Sequence, residues 1–453
     1  MEEDTKVEIK KEIEKEKKEV AITIEEDTKK ENKGPITQRR SPNTKRDTKE
    51  DFIKEQDSPK DIVRPSPLLF VFVKLPLVGR RQHTSTTLMA GSARELMPLS
   101  KNNSRSSSGS GSRREWFLEE AYGALHALAD TWPDVPDAKN MVLKPLKGAM
   151  TNHVYECHWP QESTPHGRLR RVLVRIYGDG CELFFRREDE ICTFERMSQL
   201  GQGPRLLARF SNGRVEEFLN ARTLKAVDLR DSTISVIIAT KLKEFHTLDI
   251  HGSREPKLWN QIQFWIMKAL ELCPLTWHQD FQLESIKEDL PKLQSKFSQF
   301  QGLVGFCHND LQYGNIMMNE TNGDVTIIDY EYASFNPIAF DIANHFCEMT
   351  SNYHTETPHK LDTSNYPEYE ERFRFVDAYL KSSVAPFSAL PRAEEFMEEV
   401  ECYTLVSHLH WGLWGILSAT FSDIDFDYLE YARQRFQCYF CSKRSLLLED
   451  GCV

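Results

Sequence analysis

The chain has 453 residues, with 58 Lys/Arg against 69 Asp/Glu, a formal net charge of −11, and 40% hydrophobic side chains. That length leaves room for two or three domains, and the acidic balance argues against nucleic acid or an anionic membrane surface as a partner. Charge is distributed unevenly, so composition bounds the folded part more tightly than length does.

Residues 1–60 hold 16 Lys/Arg and 17 Asp/Glu, with Phe52 as the only aromatic. So few apolar groups cannot offset the entropy of ordering, and a disordered or loosely helical tail is expected. Residues 61–114 carry 9 basic and 2 acidic residues and end in SRSSSGSGSRR, the composition of a flexible linker. The apolar run 68–79 is broken by Lys74 and Pro76 and falls short of the roughly 20 residues a bilayer span requires. The first residues are charged and lack the apolar core of a secretory signal, so no stable membrane insertion is expected. The Ser/Arg-rich, acid-poor stretch from Met89 has the composition of an organelle transit peptide, a role open to it only if translation begins there. The expected location is the cytoplasm, where the ten cysteines stay reduced. Cys438 and Cys441 form one C-x-x-C, which without a second pair reads as helix packing rather than metal binding.

From Glu115 the pattern changes. Residues 115–453 hold 33 basic and 50 acidic side chains, a formal charge of −17. This is enough chain for a bilobal enzyme with a sizeable core. So acidic a surface suits a cationic ligand, and serves solubility as readily.

A helix is expected over 116–128, then strands over MVLKPLK, HVYECHW and RVLVRIYG, with KGAMTN (147–152) as a turn between the first two. An amphipathic helix over 187–199 follows, then a hairpin of RLLARF and RVEEFL around Ser211-Asn212-Gly213. Helical spacings recur near 231–248, 256–273, 279–299, 367–382 and 391–420. They are interrupted at 305–332 by a loop, a strand, a turn through Asn322-Gly323 and the apolar strand VTIID. The layout is a small sheet-rich lobe, a hinge near 219–222 and a larger helical lobe.

Phosphoryl transfer from ATP needs a carboxylate to orient the attacking hydroxyl, oxygen ligands for Mg²⁺ and cations on the phosphates. HNDLQYGN supplies Asp310 and, five residues on, Asn315, the spacing of kinase catalytic loops, in which the Asp acts as base and the Asn holds metal. The following strand ends at Asp329, placed to face the loop as a second Mg²⁺ ligand. Singly each Asp reads as a turn or cap residue. Together they read as a kinase.

HNDLQYGNIM followed by IDYEYASFNPIAFDIANHFCEM resembles the paired signature of choline/ethanolamine kinases, plant choline kinases most, from about Lys139 to Tyr439. The resemblance implies an α+β, bilobal, protein-kinase-like fold of the aminoglycoside-phosphotransferase-like variety. It divides the chain into a tail and linker (1–114), an ATP-binding N-lobe (115–220) and a C-lobe with the catalytic loop and choline pocket (221–453). That family lacks a G-x-G-x-x-G loop, as does this chain; KGAMTN stands in its place and puts Lys147 near the nucleotide. The resemblance makes Asp310 the base, Asn315 and Asp329 the Mg²⁺ ligands, and Gln312 and Glu331 their neighbours. Arg175 takes the phosphate-binding role, held by Glu190, and the backbone of Glu217 and Leu219 receives adenine.

Trp411 and Trp414, three apart on one helix face, serve packing as readily as binding. By resemblance they form an aromatic cage for choline with Tyr353, Phe426 and Tyr431, beside the carboxylate of Glu348. Gln312 and Cys347 resemble the choline branch, whose reaction opens the CDP-choline route to phosphatidylcholine. His308 and His345 are expected to be structural, and Asp341 to brace the catalytic loop. Family members are often dimers. An ethanolamine-preferring or aminoglycoside-type kinase stays open on this reading, as does a silent pseudokinase, against which stands the presence of Asp310, Asn315 and Asp329.

Overall fold

The computed structural model describes residues 110–448 except 136, 147–151, 161–169, 179–180, 251, 301, 384–389 and 423, with backbone alone for 110–118 and 445–448. The expected tail and nearly all of the linker, together with Lys147, lie outside these residues. The described residues belong to one compact unit. None of their helices is long and apolar enough to cross a membrane.

Helix α1 (Ser110–Ala129) begins inside the stretch read as linker, because composition cannot place a helix start to within a turn. Its buried residues Ala121, Ala124, Leu125 and Leu128 recur at helical spacing and cover one face of an antiparallel sheet. The strands are β1 (Val142–Leu146), β2 (Asn152–Trp159), β3 (Arg170–Tyr177), β4 (Leu206–Phe210) and β5 (Gly213–Glu217), in the order β1-β2-β3-β5-β4. Side chains alternate across a sheet, so Val172, Val174, Ile176 and Val215 enter the core under α1. The same alternation sends Arg175, its register partner Arg214, and Glu216 to the opposite face. At the β4–β5 turn a Cβ on Gly213 would stand 2.3 Å from the Arg175 carbonyl oxygen, so this closely paired position admits only glycine. Helix α2 (Arg187–Leu200), between β3 and β4, ends on Gly201, whose φ of +66° lets the backbone turn left-handed.

The rest is mainly helical: α3 (Ser232–His246), α4 (Leu258–Leu272), α5 (Leu275–Asp280), α6 (Leu283–Phe297), α7 (Ile338–Glu348), α8 (Tyr369–Lys381), α9 (Ala393–Phe421) and α10 (Tyr428–Leu448). Five short strands interrupt them. A two-residue strand β6 (Arg222–Thr223) joins the hairpin β8 (Ile316–Met318) and β9 (Val325–Ile327), while β7 (Val304–Cys307) pairs with β10 (Ser334–Pro337). The long helix α9 packs on α4, α7 and α10 around a second, larger core. Every residue of α7 is buried. The catalytic-loop motif therefore leaves β7 directly over α7, and β8–β9 folds back beside it. Cys438, half-buried, and Cys441, exposed, both lie on α10.

Candidate functional site

The loop 308–315 is fastened from below. Asp341, in the first turn of α7 and 0% exposed, accepts from the His308 and Asn309 main-chain N–H groups, each at 2.7 Å. Its Oδ2 also meets His246 Nε2 at 2.9 Å, and His246 Nδ1 meets the Tyr379 hydroxyl at 2.8 Å. His308 Nε2 reaches the Ile328 carbonyl at 3.0 Å and His345 Nδ1 the Leu311 carbonyl at 2.9 Å. These bonds give both histidines and Asp341 a bracing position under the loop, as expected for them. His246, Cys307 and Asp341 lie close enough to hold a metal. His246 and Asp341 are already committed to the brace, and the Cys307 thiol faces the Gly305 and Asn336 carbonyls at 3.5 and 3.4 Å. Asn309 adopts φ +66°, held there by Nδ2 bonds to the Tyr332 carbonyl at 2.8 Å and the Ser334 hydroxyl at 3.0 Å.

On this support stand the three residues expected to carry the chemistry. Asn315 Nδ2 donates to both the Asp310 carboxylate and the Asp310 carbonyl, each at 2.9 Å. With its amino end so anchored, the amide turns its Oδ1 away from Asp310. Asp329 follows β9 with φ +66°, a left-handed backbone that costs a non-glycine residue on the order of 1 kcal/mol or more and that tends to occur at functional sites. The Ile328 N–H donates to the Asn315 carbonyl at 2.9 Å and keeps the two segments side by side. Burial, and then the charges of Glu348, Glu331 and Asp329, push the Asp310 carboxyl well above the usual carboxylate range, against the Asn315 bond. The pocket thus concentrates negative charge that cationic ligands would balance. Gln312 lies in the loop, where its side-chain oxygen accepts from the Gly314 N–H at 2.6 Å and caps the turn into β8.

Arg175 reaches this group from the sheet: one guanidinium nitrogen is 3.6 Å from the Asp329 carboxylate. Its acidic partner differs from expectation. Arg175 Nε donates to Glu216 at 2.9 Å, whereas Glu190 accepts from Arg214 at 2.7 Å and lies 3.4 Å from Arg187. Arg214 also donates to Glu216 at 2.7 Å, so Glu190 is linked to Arg175 only through the chain Glu190–Arg214–Glu216–Arg175. The reason is register: β5 sets Arg214 opposite Arg175 and Glu216 two residues on, on the same face, nearer than any residue of α2. Strand periodicity already places Glu216 on that face; what the sequence lacks is the pairing of β3 with β5. At the end of β5, the Glu217 N–H donates to the Arg205 carbonyl at 2.9 Å and its carboxylate pairs with the Arg205 side chain at 3.0 Å. Leu219 is half-buried two residues further on.

The expected cage residues come together. Trp411 and Trp414 meet edge to face with ring centroids 5.4 Å apart. Trp414 lies 6.0 Å from Tyr431, and Phe426 5.6 Å from Tyr431. Tyr353 donates its hydroxyl to Glu348 at 2.7 Å. Three further residues of this layer escape the sequence reading. The Tyr332 hydroxyl accepts from Trp414 Nε1 at 2.9 Å while its ring meets Trp411 at 5.4 Å. Tyr428 packs on Trp414 at 5.5 Å, and Arg435 donates to Glu348. Only 5% of Trp411 and 9% of Trp414 is exposed, so both rings belong to the core as well as to this wall. A cavity of about 290 Å³ adjoins Glu331, Tyr332 and Asn309 but includes neither Asp310 nor Asp329, and it lies beside the reactive group rather than at it.

The sequence profile of choline/ethanolamine kinases matches residues 143–440. The chain belongs to the choline/ethanolamine kinase family. It is 52% identical to probable choline kinase 2 of Arabidopsis thaliana over 329 residues, which cover 72% of this chain and 93% of that one. To a probable ethanolamine kinase of the same plant it is 35% identical, over 69% of this chain and 82% of the other. Among solved structures it is similar to a choline kinase of Cryptosporidium parvum, at TM-score 0.60 and 26% identity, over 74% of this chain and 97% of that one. The family's fold is the two-part arrangement described above, a sheet-rich part followed by a helical one.

Proposed function

We propose that this chain transfers the γ-phosphoryl group of ATP to the hydroxyl of choline, giving phosphocholine and ADP. The observation that carries this reading is the nearness of Asp310, with its anchored Asn315, to Glu348 and Tyr431 at the edge of the ring layer that Trp411 and Trp414 complete, close enough for its charge and theirs to bear on one another. The greater identity to a probable choline kinase than to a probable ethanolamine kinase supports the choice of amine. Choline carries a trimethylammonium without an N–H, so aromatic faces are the protein's means of holding it, each worth about 0.5–2 kcal/mol. With the ammonium against the rings, the hydroxyl extends toward Asp310. Asp310 accepts its proton as the new O–P bond forms and the bond from the γ-phosphorus to the ADP oxygen breaks. Arg175, fixed by Glu216, holds phosphate oxygens with the free part of its fork. Adenine rests against the chain at Glu217 and Leu219.

Asn315 and Asp329 offer only oxygen ligands, and the amide of Asn315 is oriented by its bonds to Asp310, a donor set that fits Mg²⁺. When bound there, the ion would neutralise charge on the β- and γ-phosphates. The sheet-rich part would then be the nucleotide lobe and the helical part the amine lobe, in the cytoplasm.

Two measurements test this. The purified protein, given ATP and Mg²⁺, is expected to release ADP faster with choline than with ethanolamine at equal subsaturating concentration; equal or reversed rates would overturn the choice of amine. Trp414→Ala should raise the KM for choline about 5- to 30-fold, the loss of one good cation–π wall of roughly 1–2 kcal/mol. Because Trp414 is also core, the same change should cost stability, about 3–5 kcal/mol. Trp414→Phe, which restores a ring face, should recover much of both, while the KM for ATP stays unchanged throughout. A KM for choline that does not move in a folded Trp414→Ala protein would remove this ring from the site.

A further inference from the structure

We propose that Arg435 sets the amine preference of the pocket, by holding Glu348 as a charge-balanced wall in place of a free acceptor. The proposal rests on the choline reading above. Arg435 is 0% exposed on α10, one turn after Tyr431. Its Nη2 donates to Glu348 Oε1, and its Nε donates to the Tyr431 hydroxyl at 3.1 Å. Its guanidinium carbon stands 5.1 Å from the Tyr431 ring centroid, and its Nη1 lies 3.5 Å from His408 Nδ1. The other carboxylate oxygen of Glu348 accepts from the Tyr353 hydroxyl at 2.7 Å. Both oxygens are therefore engaged, one by a full positive charge and one by a cage residue.

This arrangement favours one kind of amine. A primary ammonium gains most where its N–H groups find an unsatisfied carboxylate. A quaternary ammonium has no N–H to donate and gains from ring faces. With its charge balanced by Arg435 and its oxygens engaged, Glu348 serves the second and withholds the advantage from the first. Arginine is suited to the task because its planar fork engages Glu348 and Tyr431 at once, which a lysine ammonium cannot reproduce.

The same layer gives a physical route for Cys347, a residue that the family resemblance connects with choline over ethanolamine. The Cys347 side chain is 0% exposed, and its Sγ lies 3.8 Å from His408 Nε2. The other nitrogen of that imidazole faces Arg435. Burial, followed by the positive charge of Arg435, holds the His408 pKa down to about 3, so the ring is neutral at physiological pH. Cys347 thus bears on the cage through His408 and Arg435, as packing behind the guanidinium and without touching the amine.

The test compares kcat/KM for choline and for ethanolamine, with the full chain, in wild type, Arg435→Gln and the double variant Glu348→Gln/Arg435→Gln. Arg435→Gln leaves the Glu348 charge unbalanced, and the ethanolamine-to-choline ratio should rise about 5-fold or more through a lower KM for ethanolamine and a higher one for choline. The double variant removes the unbalanced charge and should bring the ratio back to within about 2-fold of wild type. Arg435→Lys keeps the charge without the fork and should move the ratio the same way by less, which keeps the test informative where the Gln variant folds poorly. A ratio unchanged in folded Arg435→Gln or Arg435→Lys protein, with both amines slowed alike, would reduce Arg435 to scaffolding and overturn the proposal. A wild-type protein inactive on both amines would strike the choline reading itself, and this proposal with it, and that result is in hand before any variant is measured.

Discussion

Asp310→Asn is expected to lower kcat by at least about 10³-fold while leaving the melting temperature close to that of wild type. The amide keeps the size of the carboxyl and can still accept from Asn315 Nδ2, so the loop has no reason to rearrange. What it loses is the capacity to take a proton and the negative charge that draws the hydroxyl and ammonium in. In the ligand-free protein, burial and three neighbouring carboxylates hold the Asp310 carboxyl up, so a cationic amine and cations on the phosphates would favour its ionised, active form. The KM for ATP should change little. Single-turnover measurement of phosphoryl transfer separates the chemical step from product release. Transfer at near wild-type rate in the variant would show that another group accepts the proton.

Asp341→Asn should be the costliest change outside the reactive group, lowering stability by about 3–5 kcal/mol and kcat by about 10²-fold. Asp341 is fully buried and receives the N–H groups of His308 and Asn309 on separate oxygens. An asparagine offers one oxygen, so its amino group must face one of those donors at hydrogen-bonding distance. The loop then moves, and Asp310 moves with it. The pH dependence of stability carries the same signature. Burial acts to raise the Asp341 carboxyl, but the bond from His246 and the charges and N–H group beside it outweigh that and hold it below its ordinary value. A carboxyl depressed in the folded state contributes stability above its unfolded pKa of about 3.9, and that contribution is lost as pH falls through the folded value. The wild type should therefore lose more stability than Asp341→Asn on acidification from about pH 5 to pH 3. Melting curves across that range, with kcat at neutral pH, decide it: wild-type stability and turnover in the variant would show that the brace is not needed.

Which elements were legible follows from how each is exposed. The expected helices over 187–199 and 367–382 match α2 and α8 closely because each buries one face and leaves the other wet, which imprints a period on the sequence. Helix α7 has no wet face. All of its residues are buried, because the polar stripe Asp341, Asn344, His345 and Glu348 turns to the loop 308–315 and to Arg435 instead of water, and the segment was read only as part of a motif. The central part of α9 is likewise buried all round, yet apolar spacings of three and four over 391–420 still marked it as a helix.

By itself the sequence determined the kinase-like spacing of Asp310, Asn315 and Asp329, because these lie within one loop and hairpin where chain connectivity fixes what meets what. It also marked the aromatic pair on α9, three residues apart on one helix. Only the tertiary structure decided the partners drawn from separate elements. Glu216 took the place of Glu190 beside Arg175 because strand register brings β5 closer to β3 than α2 comes. Tyr332 joined the rings of Trp411 and Trp414 because the segment after β9 passes over α9, and Arg435 reached Glu348 because α7 and α10 both pack on α9. A buried ion pair between residues 87 apart in the chain leaves no local pattern. It is set by which helices share a core, and that is a property of the fold as a whole.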